Sequence, residues 1–179
     1  MTYVKASIPK LPGGGAPVPK KDRVIILDVE DVATDITREI GVTTASTGLT
    51  LTTGAKGVSI QVARASINAG YTNEGEIDAK TFKDKVEFDY PGDSVPLNNF
   101  IEAFANKGVI IIVDSCEGGK KVYGRKCNPL ILTTEPTDSN EAVKTHFTFE
   151  QEMGDAFLPR VFTGTVPDVA DDASSGEGE

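Results

Sequence analysis

The sequence predicts a mainly β fold, a two-sheet β-sandwich or barrel with one flanking α-helix at about 94–107. Three observations predict it. Several segments alternate apolar and polar residues with the period of two that marks a half-buried strand. Only one stretch, Ser94 to Lys107, carries an apolar stripe at helical spacing. That stretch runs into Val109-Ile110-Ile111-Ile112-Val113, which is apolar on both faces of a strand and so needs cover on each side. With one helix to cover a sheet of about eight strands, a second sheet layer or neighbouring chains must bury the remaining apolar faces.

The elements follow in order. Residues 1–22 read as a flexible N-terminal arm, because Pro9 to Lys21 combines four prolines with Gly13-Gly14-Gly15 and shows no apolar period. Arg23 to Glu30 holds Val24, Ile25, Ile26, Leu27 and Val29, an apolar run of strand length. Thr47 to Thr53 alternates around Leu49 and Leu51, and Val58, Ile60 and Val62 alternate next, giving two strands around Gly54-Ala55-Lys56-Gly57. From Phe82 to Tyr90, Phe82, Val86, Phe88 and Tyr90 share one face and Lys83, Lys85, Glu87 and Asp89 the other; only Asp84 breaks the apolar face. Pro91-Gly92 ends that strand, Asp93 or Ser94 can cap the helix, and Pro96 is tolerated in its first turn. Leu97, Phe100, Ile101, Phe104 and Ala105 form the buried stripe, and Gly108 stands where a left-handed cap is expected. After the Val109 strand come a turn at Glu117 to Lys120, a return strand at Lys121 to Lys126, a strand at Leu130 to Thr134, and a polar loop from Glu135 to Asn140. Val143, Thr145, Phe147, Phe149 and Gln151 then alternate with Lys144, His146, Thr148, Glu150 and Glu152 as a long strand, and Val161-Phe162 closes the 23–164 domain. Residues 165–179 read as an acidic, disordered C-terminal tail, with Asp168, Asp171, Asp172, Glu177 and Glu179 and no base.

Composition narrows the function. A chain of 179 residues suits a single domain, and 39% hydrophobic with 25% charged residues argues against global disorder. No stretch approaches the length of a membrane helix, and Met1-Thr2-Tyr3-Val4-Lys5 lacks the features of a secretory signal, so synthesis in a cytoplasm is expected. A net charge of −9 disfavours stable nucleic-acid binding, which draws its energy from clustered Lys and Arg. If Gly118-Gly119 forms a two-residue hairpin loop, Cys127 falls opposite Ile110 and Cys116 opposite Lys121, so two reduced, mostly packed thiols are expected rather than a disulfide.

Templates for catalysis and cofactor binding fail in turn. The single histidine, His146, lies on a polar strand face with no partner at metal-ligand spacing. Gly13-Gly14-Gly15 lacks the Lys-Ser/Thr ending of a phosphate loop. Asp28, Glu30 and Asp31 lack the spaced ligands of a calcium loop and read as a solvated strand end. Glu150 and Glu152 share a strand face, as two catalytic carboxylates would, and two outward acids explain them equally well. No catalytic, cofactor-binding or metal-ligating residue is assigned, and no enzymatic activity is expected.

The stretch from Leu97 through Val113, a single helix entering an apolar strand, resembles the tail tube (major tail) proteins of tailed bacteriophages and of related contractile injection systems. Thr145 to Glu152, followed by Phe157-Leu158-Pro159 and Val161-Phe162-Thr163-Gly164, is similar to how such chains approach their ends, and the likeness spans about Arg23 to Gly164. The resemblance implies a non-enzymatic virion protein, made in the host cytoplasm and located in the tail. Its partners would be itself, in commonly hexameric rings that stack into a tube, and other tail or baseplate proteins. DNA or an effector would be only transient cargo. In that setting the Met1 to Lys21 arm and the Thr-rich excursion from Gly41 to Gly57 are contacts between stacked rings, and an acidic wall lets DNA slide. The alternative is a monomeric β-sandwich module binding a carbohydrate or protein. Aromatic content of 7% without Trp disfavours a sugar. A hydrolase using surface carboxylates is the third reading.

Overall fold

The structure is a computed structural model and describes residues 5–171. Its elements are β1 (Lys20–Asp28), β2 (Val32–Thr34), β3 (Thr44–Ala45), β4 (Thr50–Leu51), β5 (Val58–Gln61), β6 (Asn68–Glu74), β7 (Thr81–Pro91), α1 (Val95–Phe104), β8 (Gly108–Ser115), β9 (Lys120–Tyr123), β10 (Leu130–Asp138), β11 (Val143–Gln151) and β12 (Arg160–Phe162). The mainly β class with one α-helix is as the sequence predicts. No helix among the described residues is long and apolar enough to cross a membrane.

The architecture turns on β8. One edge pairs antiparallel with β1, which in turn carries β5. The other edge is shared: residues 111–114 pair with β9, and Gly108 and Val109 pair with β10. From β9 the sheet continues to β12 and β3; from β10 it continues through β11 and β7 to β6. This branch lets the ten-stranded sheet curl into two layers. The curl is tied where the chain leaves β5, since Ala63 N–H donates to Asp89 O of β7 and Asp89 N–H donates to Ser66 Oγ. A separate two-stranded sheet pairs β2 with β4.

The layers enclose one core. Val24 and Ile26 of β1, Val109, Ile111 and Val113 of β8, Val86 and Phe88 of β7, and Phe147 and Phe149 of β11 meet there. α1 adds Leu97, Phe100, Ile101 and Phe104. Phe88, Phe147 and Phe149 stack with ring centroids 5.1–6.3 Å apart. A second core lies on the opposite face of β1 and β8: Ile25, Leu27, Ile110 and Ile112 are capped by Val32, Ile36 and Leu49 of the excursion after β1 and by Phe162 near the C-terminus. The doubly apolar run in β8 is therefore covered on both sides by its own chain, and it does not by itself require a neighbouring subunit. Within the Gly41–Gly57 excursion, Ala45, Leu49 and Leu51 pack on this second core, while Val42 is exposed.

Several boundaries differ from expectation. β1 begins at Lys20, so the end of the expected arm is already in the sheet. The C-terminal boundary extends beyond Gly164, because Val166 and Val169 pack on the second core and Gly57 bridges Val169 in parallel. The rest of the expected acidic tail, 172–179, lies outside the described residues. The strands on either side of Gly54–Gly57 do not pair together: β4 pairs with β2, and β5 with β1. β6 was not foreseen, and β10 continues through Pro136 to Asp138, where a loop was expected, because each residue still finds a partner on β11.

α1 starts where Ser94 Oγ accepts the Leu97 N–H, with Pro96 in the first turn. It ends at Phe104, short of Lys107, which leaves Ala105 exposed. Gly108 is the first residue of β8 and has no positive φ, so it is not a left-handed cap. What requires glycine is Pro129: a Cβ on residue 108 would lie 2.4 Å from Pro129 Cγ. Gly108→Ala is expected to cost about 1–3 kcal/mol, read as a lower urea midpoint at unchanged m-value. An unchanged midpoint would show that the Pro129 loop yields freely.

Candidate assembly surface

The residues weighed individually for chemistry do not converge. Asp28 is buried rather than solvated: it caps the turn after β1 by accepting Glu30 N–H, and it accepts from Lys107 Nζ at 2.5 Å. Lys107 also reaches Glu30 at 3.3 Å, and hydrogen bonding to Asp28 and then Glu30 raises its pKa. Asp28 and Glu30 thus serve a lysine. Gly13–Gly15 lies in an exposed turn. Glu150 bonds Lys83 at 3.0 Å, while Glu152 lies beyond the end of β11 and is exposed. Among the described residues no group of His, Cys, Asp and Glu forms a metal site.

Both cysteines are free and exposed, contrary to the packed thiols expected. The β8–β9 register pairs Asp114 with Lys120, so the connecting loop is longer than two residues and Cys116 lies in it. Ser115 N–H donates to Gly119 O and Gly119 N–H to Ser115 Oγ, closing that loop. Cys127 lies in the next turn, where Arg125 and Asn128 bond each other.

A coherent surface arises instead from β10, β11, β7 and β6. Alternation sends Thr145, Phe147 and Phe149 inward and Lys144, His146, Thr148 and Glu150 outward on β11, with the same division on β7. The outward face carries Glu74, Glu87, Asp89, Glu135 and Glu150 against Lys83, Lys85, Lys144 and His146. These charges pair across it. Lys85 meets Glu87 at 2.8 Å, Lys144 meets Asp89 at 2.9 Å, and His146 Nδ1–H donates to Asp89 Oδ1 at 2.6 Å. The His146 bond, then that of Lys144, holds the Asp89 pKa below its ordinary value, and Lys85 does the same for Glu87. His146, expected as a surface histidine, is half-buried in this ladder.

Among the described residues both edges of these four strands are open: β6 pairs only with β7, and β10 has no strand on its other side beyond Ile131. Pro136, which lacks an N–H, blunts part of the β10 edge and leaves Leu132–Glu135 as the stretch able to pair. β6 escaped notice in the sequence because its inward positions, Ala69, Tyr71 and Asn73, carry no run of large apolar residues.

A buried polar cluster was also missed as a unit. Asp84, on the inward face of β7, accepts Gly124 N–H at 2.9 Å, and its own N–H donates to Gln151 Oε1 at 2.9 Å. Arg38 donates to Gly124 O at 2.9 Å, Arg125 pairs with Asp155, and Arg125 and Arg160 each stand 5.4 Å from the Phe157 ring centre. Burial is the largest influence on Asp84 and pushes its pKa up to about 6. The cluster encloses about 10 Å3, room for a water at most, so it is a structural polar core rather than a substrate pocket.

No family model matches the chain, and neither a curated protein nor a solved structure matches it significantly.

Proposed function

We propose that this chain is a non-enzymatic structural subunit that assembles with copies of itself into rings stacked as a tube, of the kind found in bacteriophage tails and related injection systems, through which DNA or an effector passes. The observation that carries the reading is the pair of open edges, β6 and the outer part of β10, at opposite ends of one four-stranded layer. Open edges invite strand pairing. Two different edges on one subunit make a heterologous, head-to-tail contact, which closes into a ring when the rotation permits.

The outward face of that layer suits the wall of a passage. Its lysines are each engaged by carboxylates, so it offers phosphate few free cations, and a polyanion has little to hold. Assembly in this reading rests on these edges. The buried β8 run supplies rigidity to the subunit instead.

Size-exclusion chromatography with light scattering, followed by negative-stain imaging over rising protein concentration, tests the reading. Rings or tubes are expected at high concentration. A strict monomer throughout, including at millimolar concentration, would overturn it in favour of a monomeric binding module.

A further inference from the structure

Among the described residues a third open edge lies at β5, which pairs only with β1. Val62 N–H donates to Asp22 O, so the β1 ladder uses Val62, Ile60 and Val58, and the backbone groups of Ser59 and Gln61 point away from β1. Gly57, two residues before Ser59, shows what that side accepts: its N–H donates to Asp168 O and its O receives Ala170 N–H, both at 2.8 Å. There the chain's own C-terminal segment starts an added strand, and beyond it no described residue pairs with Ser59 or Gln61 on that side. They line an open groove of about 490 Å3 together with Tyr90 of β7, Leu97 and Phe100 of α1, and Ala170 and Asp171.

The same chain carries a segment with matching properties. Residues 5–19 are all exposed, and Ile8 and Leu11 are 90% and 69% exposed without apolar cover. Lys5–Ile8 precedes Pro9 and keeps an unbroken run of N–H donors. Nothing acidic occurs before Asp22, and nothing basic occurs after Arg160; Asp171, which lines the groove, is followed in the sequence by Asp172, Glu177 and Glu179. The C-terminal sequence itself, Asp-Asp-Ala-Ser-Ser-Gly-Glu-Gly-Glu, has no large apolar side chain to fill the groove. The arm leaves its own subunit on the β8 side of β1, where Pro19 O accepts from Cys116 N–H, and not on the β5 side.

We propose that the β5–α1 groove receives the N-terminal arm of a second copy of this chain. Lys5–Ile8 adds a strand at Ser59 and Gln61, Ile8 and Leu11 fill the groove, and Lys5 and Lys10 face Asp171. This names one contact of self-association and so rests on the assembly reading. It uses neither edge of the β6–β10 layer, and it can therefore link rings that those edges close.

Two experiments on the full-length chain test it. In the first, a fluorescein-labelled peptide of residues 5–19 is titrated with dilute protein and followed by anisotropy. Saturable, salt-sensitive binding is expected, weakened at least about tenfold by Ser59→Pro, which removes only an outward N–H. No binding, or equal binding by a folded Ser59→Pro, overturns the proposal. If circular dichroism shows that variant unfolded, Asp171→Lys takes its place, and unchanged affinity at low salt overturns the proposal. In the second, with Cys116 and Cys127 changed to Ser, a Ser7→Cys copy is mixed with a Gln61→Cys copy and treated with a short bismaleimide. A linked dimer only in the mixture is expected. No link, or a link only within one copy carrying both cysteines, overturns the second-copy assignment. If the chain forms rings while both experiments fail, the groove contact is wrong and the assembly reading stands. If the peptide binds and no assembly forms at any concentration, the groove stands and the tube reading falls.

Discussion

Ile111→Asp is expected to abolish soluble, folded protein. Ile111 is fully buried, opposite Ile26 on β1 and Tyr123 on β9, and it faces the core shared by both sheet layers. A carboxylate there has no cation among the cluster residues, all of which are apolar or aromatic. The penalty of about 5 kcal/mol or more is comparable with the entire stability of a domain. Ile77→Asp is the matched control: Ile77 is 85% exposed, and the same change there is expected to move stability by no more than about 0.5 kcal/mol. Soluble yield and far-ultraviolet circular dichroism of the two variants check this. A folded Ile111→Asp that merely fails to associate would place the side chain at a subunit contact and refute the core described above.

The contrast between β8 and β6 shows how far the sequence could be read. Val109–Val113 announces a doubly buried strand, because both faces are apolar whatever pairs with it. The phase of β7 and β11 is equally legible, since Val86, Phe88, Phe147 and Phe149 fall on one side at period two. What decides the layering is the sharing of one β8 edge between β9 and β10, a matter of long-range register that no local pattern encodes. The open edges were hidden for a related reason. β6 needs few large apolar residues because it packs at a margin, and β10 runs through Pro136 because β11 pairs with it from the other side. Gly108 misled because a glycine after a helix usually serves as a cap, whereas here a proline twenty-one residues later occupies the space of its Cβ. The polar cluster did leave a trace, the single acid interrupting the apolar face of β7. Its partners, spread from Arg38 to Arg160, could be gathered only by the fold.

That interrupting acid carries the other large expected effect. Asp84 ionises at about 6 in the folded chain, against 3.8 for a free carboxyl, mainly because burial disfavours its charge. The Gly124 N–H, Arg38 and Arg160 pull the other way, and Asp155 adds to the rise. Between those two values the folded state holds a proton that the unfolded state has released, so stability must fall as pH rises through the window and stay lowered above it. The size of the fall, taken at about 1.4 kcal/mol per pH unit, is about 3 kcal/mol. Asp84→Asn keeps an acceptor for Gly124 N–H and carries no charge at any pH. One Asp84 oxygen, Oδ1, has no partner among the described residues, so an amide nitrogen placed there would also lack one, at a cost of about 1 kcal/mol. The variant should therefore be near wild type or weaker at pH 4 and more stable by about 2 kcal/mol at pH 7.5. Glu87 and Asp89, whose pKa values are lowered, contribute the opposite slope, stability lost as pH falls, but they are common to both proteins and cancel in the difference. Urea unfolding of the pair at half-unit pH steps isolates the Asp84 contribution; parallel stability curves from pH 4 to 7.5 would show that the carboxyl is neither desolvated nor coupled to folding.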